Sequence, residues 1–219
     1  NENTSFARKA AWISAAEIIK QFATEIVLDC QLDELSYDTG YLMNTEVNEI
    51  LPSIYISDTL PNGSGFSDRF FHQDWFSNET DKKMNLLEYV ENKLDQSCCL
   101  ESCYKCLKNY DNRFIHPYLN LQLGSHLIKL FAKEVLTSSD FINYEEYLIN
   151  LIEKDLNDEG IEFSKVNNVL DKFGNPISVL NIKTSNMNFY LVLTHPLEAP
   201  SFRFLDAYKQ LEDLEGFNE

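Results

Sequence analysis

Five stretches of this chain are predicted to be helices, mainly because apolar residues recur in them at intervals of three and four. In the first stretch, Trp12, Ile19 and Phe22 follow this spacing among many alanines, so we expect a long buried helix there. These five predicted helices cover residues 6–29, 84–95, 119–136, 144–157 and 202–214. A further, aromatic-rich stretch with Phe70, Phe71, Trp75 and Phe76 is also expected to be helical.

Shorter runs rich in β-branched and aromatic residues predict strands. A short strand is expected to end near residues 41–43, and a compact one at 54–56 is expected between Pro52 and Asp58. Residues 177–182 and 189–194 are separated by a polar turn and predict a β-hairpin.

These elements predict an α+β protein of two domains. Residues 1–138 are expected to form a helix-rich domain with a few strands. The pattern changes after Ser138, so residues 139–219 are expected to form a small α+β domain that contains the hairpin and has an unknown role. Because the chain begins with Asn, we expect it to be part of a longer polypeptide or a subunit that lacks its first residues.

The chain has 219 residues and a net charge of −17, which disfavours nucleic-acid binding by its whole surface. It lacks a long apolar run and a signal peptide, so we expect a cytoplasmic protein that does not bind membranes. Residues 101–133 reverse the charge, with five basic and two acidic residues.

The cations Lys105, Lys108 and Arg113 are interleaved there with Tyr104, Tyr110 and Phe114. This pattern is typical of surfaces that bind nucleic acid or an acidic partner. The alternative is a solvated face with three aromatic residues in the core.

Four of the five cysteines lie within nine residues: Cys98, Cys99, Cys103 and Cys106. Such clustering without a secretory signal predicts a four-sulfur zinc site that ties two helices together. His116 competes with Cys98 as the fourth ligand. Four thiols that bind no metal and a redox C-x-x-C are the alternatives to zinc. Cys30 lies apart and is expected to be a buried small apolar residue.

Three segments together resemble a known family. They are the loop from Asp58 to Phe66, the cysteine segment from Cys99 to Leu107, and residues 110–112 followed by His116. In this order and spacing, residues 6–136 are similar to the MrfA-type zinc-binding domain. That domain occurs at the C-terminal end of some DEAD/DEAH-like DNA helicases and in DrmB-like anti-phage defence proteins.

The resemblance implies a module that carries a four-cysteine zinc, has no catalytic centre and serves a helicase motor. Cys99, Cys103 and Cys106 match the family ligands. The first family cysteine lies two positions before Cys99, where this chain has Ser97, and Cys98 is displaced from that position by one residue. DNA contact is expected through the complex with the motor, in anti-phage defence or DNA repair.

No Walker-type loop or hydrolase motif occurs, so we expect the chain itself to be neither an ATPase nor another enzyme. Asp171, Asn181 and Lys183 match a metal-dependent nuclease only in part, because too few carboxylates accompany them. The main alternative function is an acidic protein–protein adaptor that does not contact nucleic acid.

Overall fold

The computed structural model describes residues 2–44, 49–72, 74–76, 84–95, 101–134, 136–185, 187–197 and 205–211. Helices and strands are mixed, so the predicted α+β class is confirmed. The chain divides into two compact units, Asn1–Val135 and Leu136–Glu219. The domain boundary predicted between residues 138 and 139 lies close to this division.

The first unit is built around its first helix, α1 (Glu2–Phe22), which continues as a π-helix (Ala23–Leu28). Nearly every residue from 10 to 24 is buried, and most of these side chains are apolar, although Ser14, Glu17 and Gln21 are buried as well. The long buried helix predicted from sequence is therefore confirmed. The other α-helices among the described residues of this unit are α2 (Phe66–Phe71), α3 (Leu86–Asp95) and α4 (Leu121–Phe131).

The helices α1 and α4 pack at unusually close range because α4 contains Gly124. A Cβ atom at this position would lie 2.9 Å from the backbone nitrogen of Ala15 and 2.8 Å from the Cβ of Ser14. The hydroxyl of Ser14 accepts the N–H of Asn120 at 2.8 Å and donates to the carbonyl of Tyr118 at 3.1 Å. The polar start of α4 is thereby attached to the apolar helix α1.

The predicted limits of α4 were wrong at both ends. The side chain of Asn120 accepts the N–H of Leu123 at 3.0 Å, so the helix begins after Asn120 and excludes Leu119. At the other end Lys133 adopts a φ of 61°, which ends the helical backbone before Leu136.

An antiparallel ribbon of two ten-residue strands, β1 (Leu35–Asn44) and β2 (Glu49–Asp58), forms the only sheet among the described residues of this unit. The sequence predicted two shorter strands with Pro52 as a boundary. Pro52 instead lies inside β2, opposite Tyr41. A two-stranded ribbon has only edge strands, where proline is tolerated because its missing N–H can face outward.

The second unit begins with α5 (Ser138–Asp158), which starts earlier than predicted because Thr137 and Asp140 form a capping box. A three-stranded antiparallel sheet follows, in the order β3 (Glu162–Val166), β4 (Val179–Lys183) and β5 (Asn188–Val192). The predicted hairpin is β4 and β5, whereas β3 was not predicted. Residues 205–211 are helical and contribute Ala207 and Leu211 to the core of this unit.

Candidate metal and nucleic-acid site

The C-x-x-C pair Cys103 and Cys106 lies in a tight turn that brings its two sulfur atoms to 3.8 Å. The turn is closed by the N–H groups of Cys106 and Lys108, which both donate to the carbonyl of Cys103. Two further N–H groups point at sulfur, from Cys103 to the Sγ of Cys106 at 3.0 Å and from Lys105 to the Sγ of Cys103 at 3.4 Å.

This turn fits a tetrahedral zinc ion. Two sulfur ligands about 2.3 Å from such an ion lie about 3.8 Å apart, which agrees with the spacing of Cys103 and Cys106. Backbone N–H groups directed at sulfur stabilise negative charge and orient thiolate ligands. The other two predicted ligands, Cys98 and Cys99, lie outside the described residues. Within the described ranges, no three His, Cys, Asp or Glu residues are grouped closely enough to hold a metal.

His116, the alternative fourth ligand, holds the loop that follows the cysteine turn. Its Nε2 lies 2.9 Å from the Oδ1 of Asn112 and 3.0 Å from the carbonyl of Asn109. Both partners are acceptors, so Nε2 carries the proton and donates. The ring also contacts Tyr104 edge-on, at 5.5 Å between centroids. His116 is not grouped with Cys103 and Cys106 as a third ligand.

Two asparagines make this loop rigid. The backbone N–H of Asn109 donates to the side chain of Asn112 at 2.8 Å, and the N–H of Asn112 donates back to the side chain of Asn109 at 2.9 Å. The side-chain amide of Asn112 also donates to the carbonyl of Leu107 at 2.8 Å. The cysteine turn and the segment after it therefore form one hydrogen-bonded loop.

Buried polar residues of α1 attach this loop to the core. Glu17 is fully buried, and one of its carboxylate oxygens accepts from Asn109 and from Gln21, each at 3.3 Å. Gln21 also donates to the carbonyl of Leu107 at 3.4 Å. Burial of the Tyr37 side chain is the larger cause that raises the pKa of this phenol, and the nearby Glu17 carboxylate is the smaller one. The phenol therefore stays protonated beside Glu17.

A second set of contacts attaches the start of the cysteine turn to α4. Ser102 is buried and donates to the carbonyl of Leu119 at 2.7 Å, and the N–H of Leu121 donates to the carbonyl of Glu101 at 2.7 Å. The turn is therefore held on one side by α1 and on the other by α4. Any ion bound in it would link α1 and α4. The sequence predicted a link between the two helices that flank the cysteines, which are α3 and α4.

Residues within the turn and after it present an exposed surface of cations and aromatic rings, which we call the cation–aromatic face. Tyr104, Tyr110 and Phe114 are between 73% and 79% exposed, so they are not the core aromatics of the alternative interpretation. The guanidinium carbon of Arg113 lies 4.6 Å from the ring centroids of both Tyr110 and Phe114. Lys105 is exposed and Lys108 is half-buried.

Asp171, one of the three residues that match a nuclease in part, has a structural role, and so has His195. The Asp171 carboxylate accepts the N–H groups of Phe173 at 2.9 Å and Asn175 at 2.8 Å, which shapes a turn. His195 is buried against the ring of Tyr144, at 4.8 Å between centroids, as expected for a core residue.

Cys30 lies apart from the turn and is only half-buried, not fully buried as predicted. It follows the π-helix, whose C-cap residue Asp29 turns the chain with a φ of 50°. Burial and the nearby carboxylate of Glu34 raise the pKa of the Cys30 thiol, which favours its neutral form.

No protein-family model, curated protein or solved structure matches this chain. The similarity to the MrfA-type domain therefore stays a prediction. Among the described residues, no helix is both long enough and apolar enough to cross a membrane.

Proposed function

We propose that this chain is a zinc-binding accessory module or subunit of a DNA helicase, with no catalytic centre of its own. The observation that carries the proposal is a cysteine turn with sulfur spacing suited to zinc, followed at once by an exposed cation–aromatic face. The motif resemblance supports a role of such a module in anti-phage defence or DNA repair.

Zinc would be held by Cys98, Cys99, Cys103 and Cys106. Cys103 and Cys106 have the spacing that a closed four-sulfur site requires. Among the described residues His116 is not grouped with Cys103 and Cys106, which supports Cys98 as the fourth ligand. A zinc ion in this position has a structural role, since it crosslinks the turn between α1 and α4.

The cation–aromatic face would contact single-stranded DNA. Exposed rings on a rigid loop offer stacking surfaces to unpaired bases, and each stacked base is worth about 1–3 kcal/mol. Lys105, Lys108 and Arg113 supply positive charge for the phosphates. The rest of the acidic chain repels DNA, so binding would be confined to this face and strengthened by the motor.

The test combines metal analysis with DNA binding by the full chain. Purified protein is expected to hold about one zinc per chain, and Cys103→Ser is expected to lose it. Binding of a short oligothymidylate is measured by fluorescence anisotropy across salt concentrations. We expect affinity to fall with salt, and Phe114→Ala to lower it about tenfold through lost stacking.

Phe173→Ala is the matched control, because Phe173 is also exposed beside a cation, with Lys172 5.0 Å from its ring centroid. This variant is expected to bind DNA like the unchanged protein. Zinc-free protein that is stably folded would contradict the metal site. Absence of DNA binding, alone and with a motor present, would favour the acidic adaptor.

A further inference from the structure

The ribbon formed by β1 and β2 has one apolar face that the first unit covers only in part. Strand side chains alternate between faces, and paired residues share a face. Tyr41 is therefore on the same face as Pro52, and Thr39 is on the same face as Ile54. This face, which we call the ribbon face, consists of Tyr37, Thr39, Tyr41, Met43, Pro52, Ile54 and Ile56.

The inner end of the ribbon face forms one wall of an open cavity of about 370 Å³. Ile54 and Ile56 line it from β2, while Phe70 and Phe71 line it from α2, and Trp75 stacks on Phe70 at 4.4 Å between ring centroids. A cavity of this volume admits a large apolar side chain. Asp68 also lines it and supplies a carboxylate.

The outer end of the ribbon extends away from the core. Tyr41, Leu42 and Met43 are consecutive, so they point to opposite faces, yet each is between 54% and 76% exposed. An isolated two-stranded ribbon is marginally stable in water, and exposed apolar side chains grouped together mark interaction sites. The ribbon face thus offers a continuous apolar strip from the cavity to Met43.

The charge near this strip indicates what kind of partner would bind to it. Residues 21–68 contain nine acidic residues and neither lysine nor arginine. The next basic residue, Arg69, has its guanidinium over the ring of Phe66. Five of the nine acidic residues are exposed, namely Glu25, Asp29, Asp33, Asp38 and Asp68. This part of the chain therefore repels nucleic acid. A second copy of this chain carries a net charge of −17, so its surface as a whole is not complementary either. The complementary partner is a basic protein segment with large apolar side chains.

We propose that the ribbon face docks an extended, basic segment of a partner protein. One large apolar side chain of that segment enters the cavity between β2 and α2. The segment's Lys or Arg residues face the acidic surroundings, including Asp68. None of these elements belongs to the cysteine turn or to the cation–aromatic face, so the inference goes beyond the proposed zinc and DNA function.

The experiment measures binding of labelled synthetic peptides to the full chain by fluorescence anisotropy. The first peptide alternates Lys with Val around a central Phe. The second replaces Lys by Glu, and the third replaces the apolar residues by Ser. We expect only the first to bind, and we expect the amide NMR shifts that it causes to be confined to β1, β2 and α2.

The variant Tyr41→Ser/Met43→Ser removes the outer end of the ribbon face and is expected to weaken binding at least about tenfold. Leu42→Ser is the matched control, because Leu42 is between these two residues in sequence but on the opposite face. It is expected to bind the first peptide normally. All three side chains are exposed, so the melting temperatures should stay unchanged.

Equal binding of the third peptide would reduce the interaction to unspecific charge attraction and overturn the proposal. Binding of the second peptide, or of none, would overturn it as well. Self-association that Tyr41→Ser/Met43→Ser abolishes would assign the face to a second copy instead. Phe114→Ala should leave peptide binding unchanged, which separates this proposal from the DNA-binding one.

Discussion

A single carboxylate, that of Asp58, closes the loop between β2 and α2. One oxygen accepts the N–H of Ser67 at 2.8 Å and the other accepts the N–H of Gly65 at 2.7 Å. Gly63 and Gly65 have φ values of 67° and 74°, which glycine adopts without strain. The loop from Asp58 to Phe66, part of the family resemblance, is therefore shaped by its own first residue.

The hydrogen bonds of Asp58 predict a pH-dependent contribution to stability. The N–H of Ser67, followed by that of Gly65, holds the pKa of Asp58 below its usual value of 3.8. Because the pKa of Asp58 is lower in the folded state than in the unfolded state, its carboxylate stabilises the fold fully at pH values above 3.8. This stabilisation is lost as the pH falls through the folded-state pKa. We expect Asp58→Asn to lower the melting temperature at neutral pH, and the difference from the unchanged protein to narrow below about pH 4.

Asp38→Asn serves as the control, since the Asp38 carboxylate accepts the N–H of its neighbour Thr39 in an exposed position. Its effect on the melting temperature should be small at every pH. If the melting temperature of Asp58→Asn stayed equally far below that of the unchanged protein in acid, the loop would depend on the shape of this side chain and not on its charge.

Residues of the candidate site differ in how far sequence predicts them. The cysteines and the cation–aromatic residues are recognisable because local spacing carries their chemistry. Glu17 and Asn109, which hold the loop, are 92 positions apart and carry no local signal. Their pairing depends on how α1 packs, so only the structure reveals it.

At the scale of elements, the contact between α1 and α4 depends on a position without a side chain. Glycine inside a helix normally costs about 1 kcal/mol relative to alanine, so Gly→Ala usually stabilises. At Gly124 we expect alanine to lower the free energy of unfolding by about 1–3 kcal/mol, because the new methyl group would meet the backbone of α1. Urea unfolding followed by circular dichroism measures this change, and increased stability of Gly124→Ala would refute the close approach.

Helical periodicity and the β4–β5 hairpin were predictable because each pattern lies within a short stretch. The strand β3 was missed because its exposed and half-buried residues do not alternate regularly over Glu162–Val166. The full length of the ribbon was missed because Pro52 was interpreted as a boundary. Pairing with a partner strand extends both elements, and this pairing is not visible in either strand alone.

At the scale of the whole molecule, the two compact units predict a divided response to metal removal. The cysteine turn belongs to the first unit, where it is attached to α1 and α4. If zinc holds this turn, a chelator should raise amide hydrogen exchange in α1 and α4 at least about tenfold. Exchange in β3, β4 and β5 should stay as it was.

Hydrogen exchange with mass-spectrometric detection measures both units in one sample of the full chain. Cys103→Ser without chelator should reproduce the pattern, whereas Cys30→Ser should not, because Cys30 lies apart from the turn. If hydrogen exchange accelerated equally in both units, or did not accelerate in either, the proposal that zinc stabilises only the first unit would be contradicted.

The burial of α1 on all sides also has a consequence for how the protein folds. Its contacts with Leu107, Asn109 and Asn120 span between 86 and 106 positions of sequence. During synthesis the apolar helix is therefore made long before the segments that cover it, and contacts of such long range form slowly. Until α4 and the cysteine loop are made, α1 lacks the residues that cover it, and we expect it to be prone to aggregation during that time.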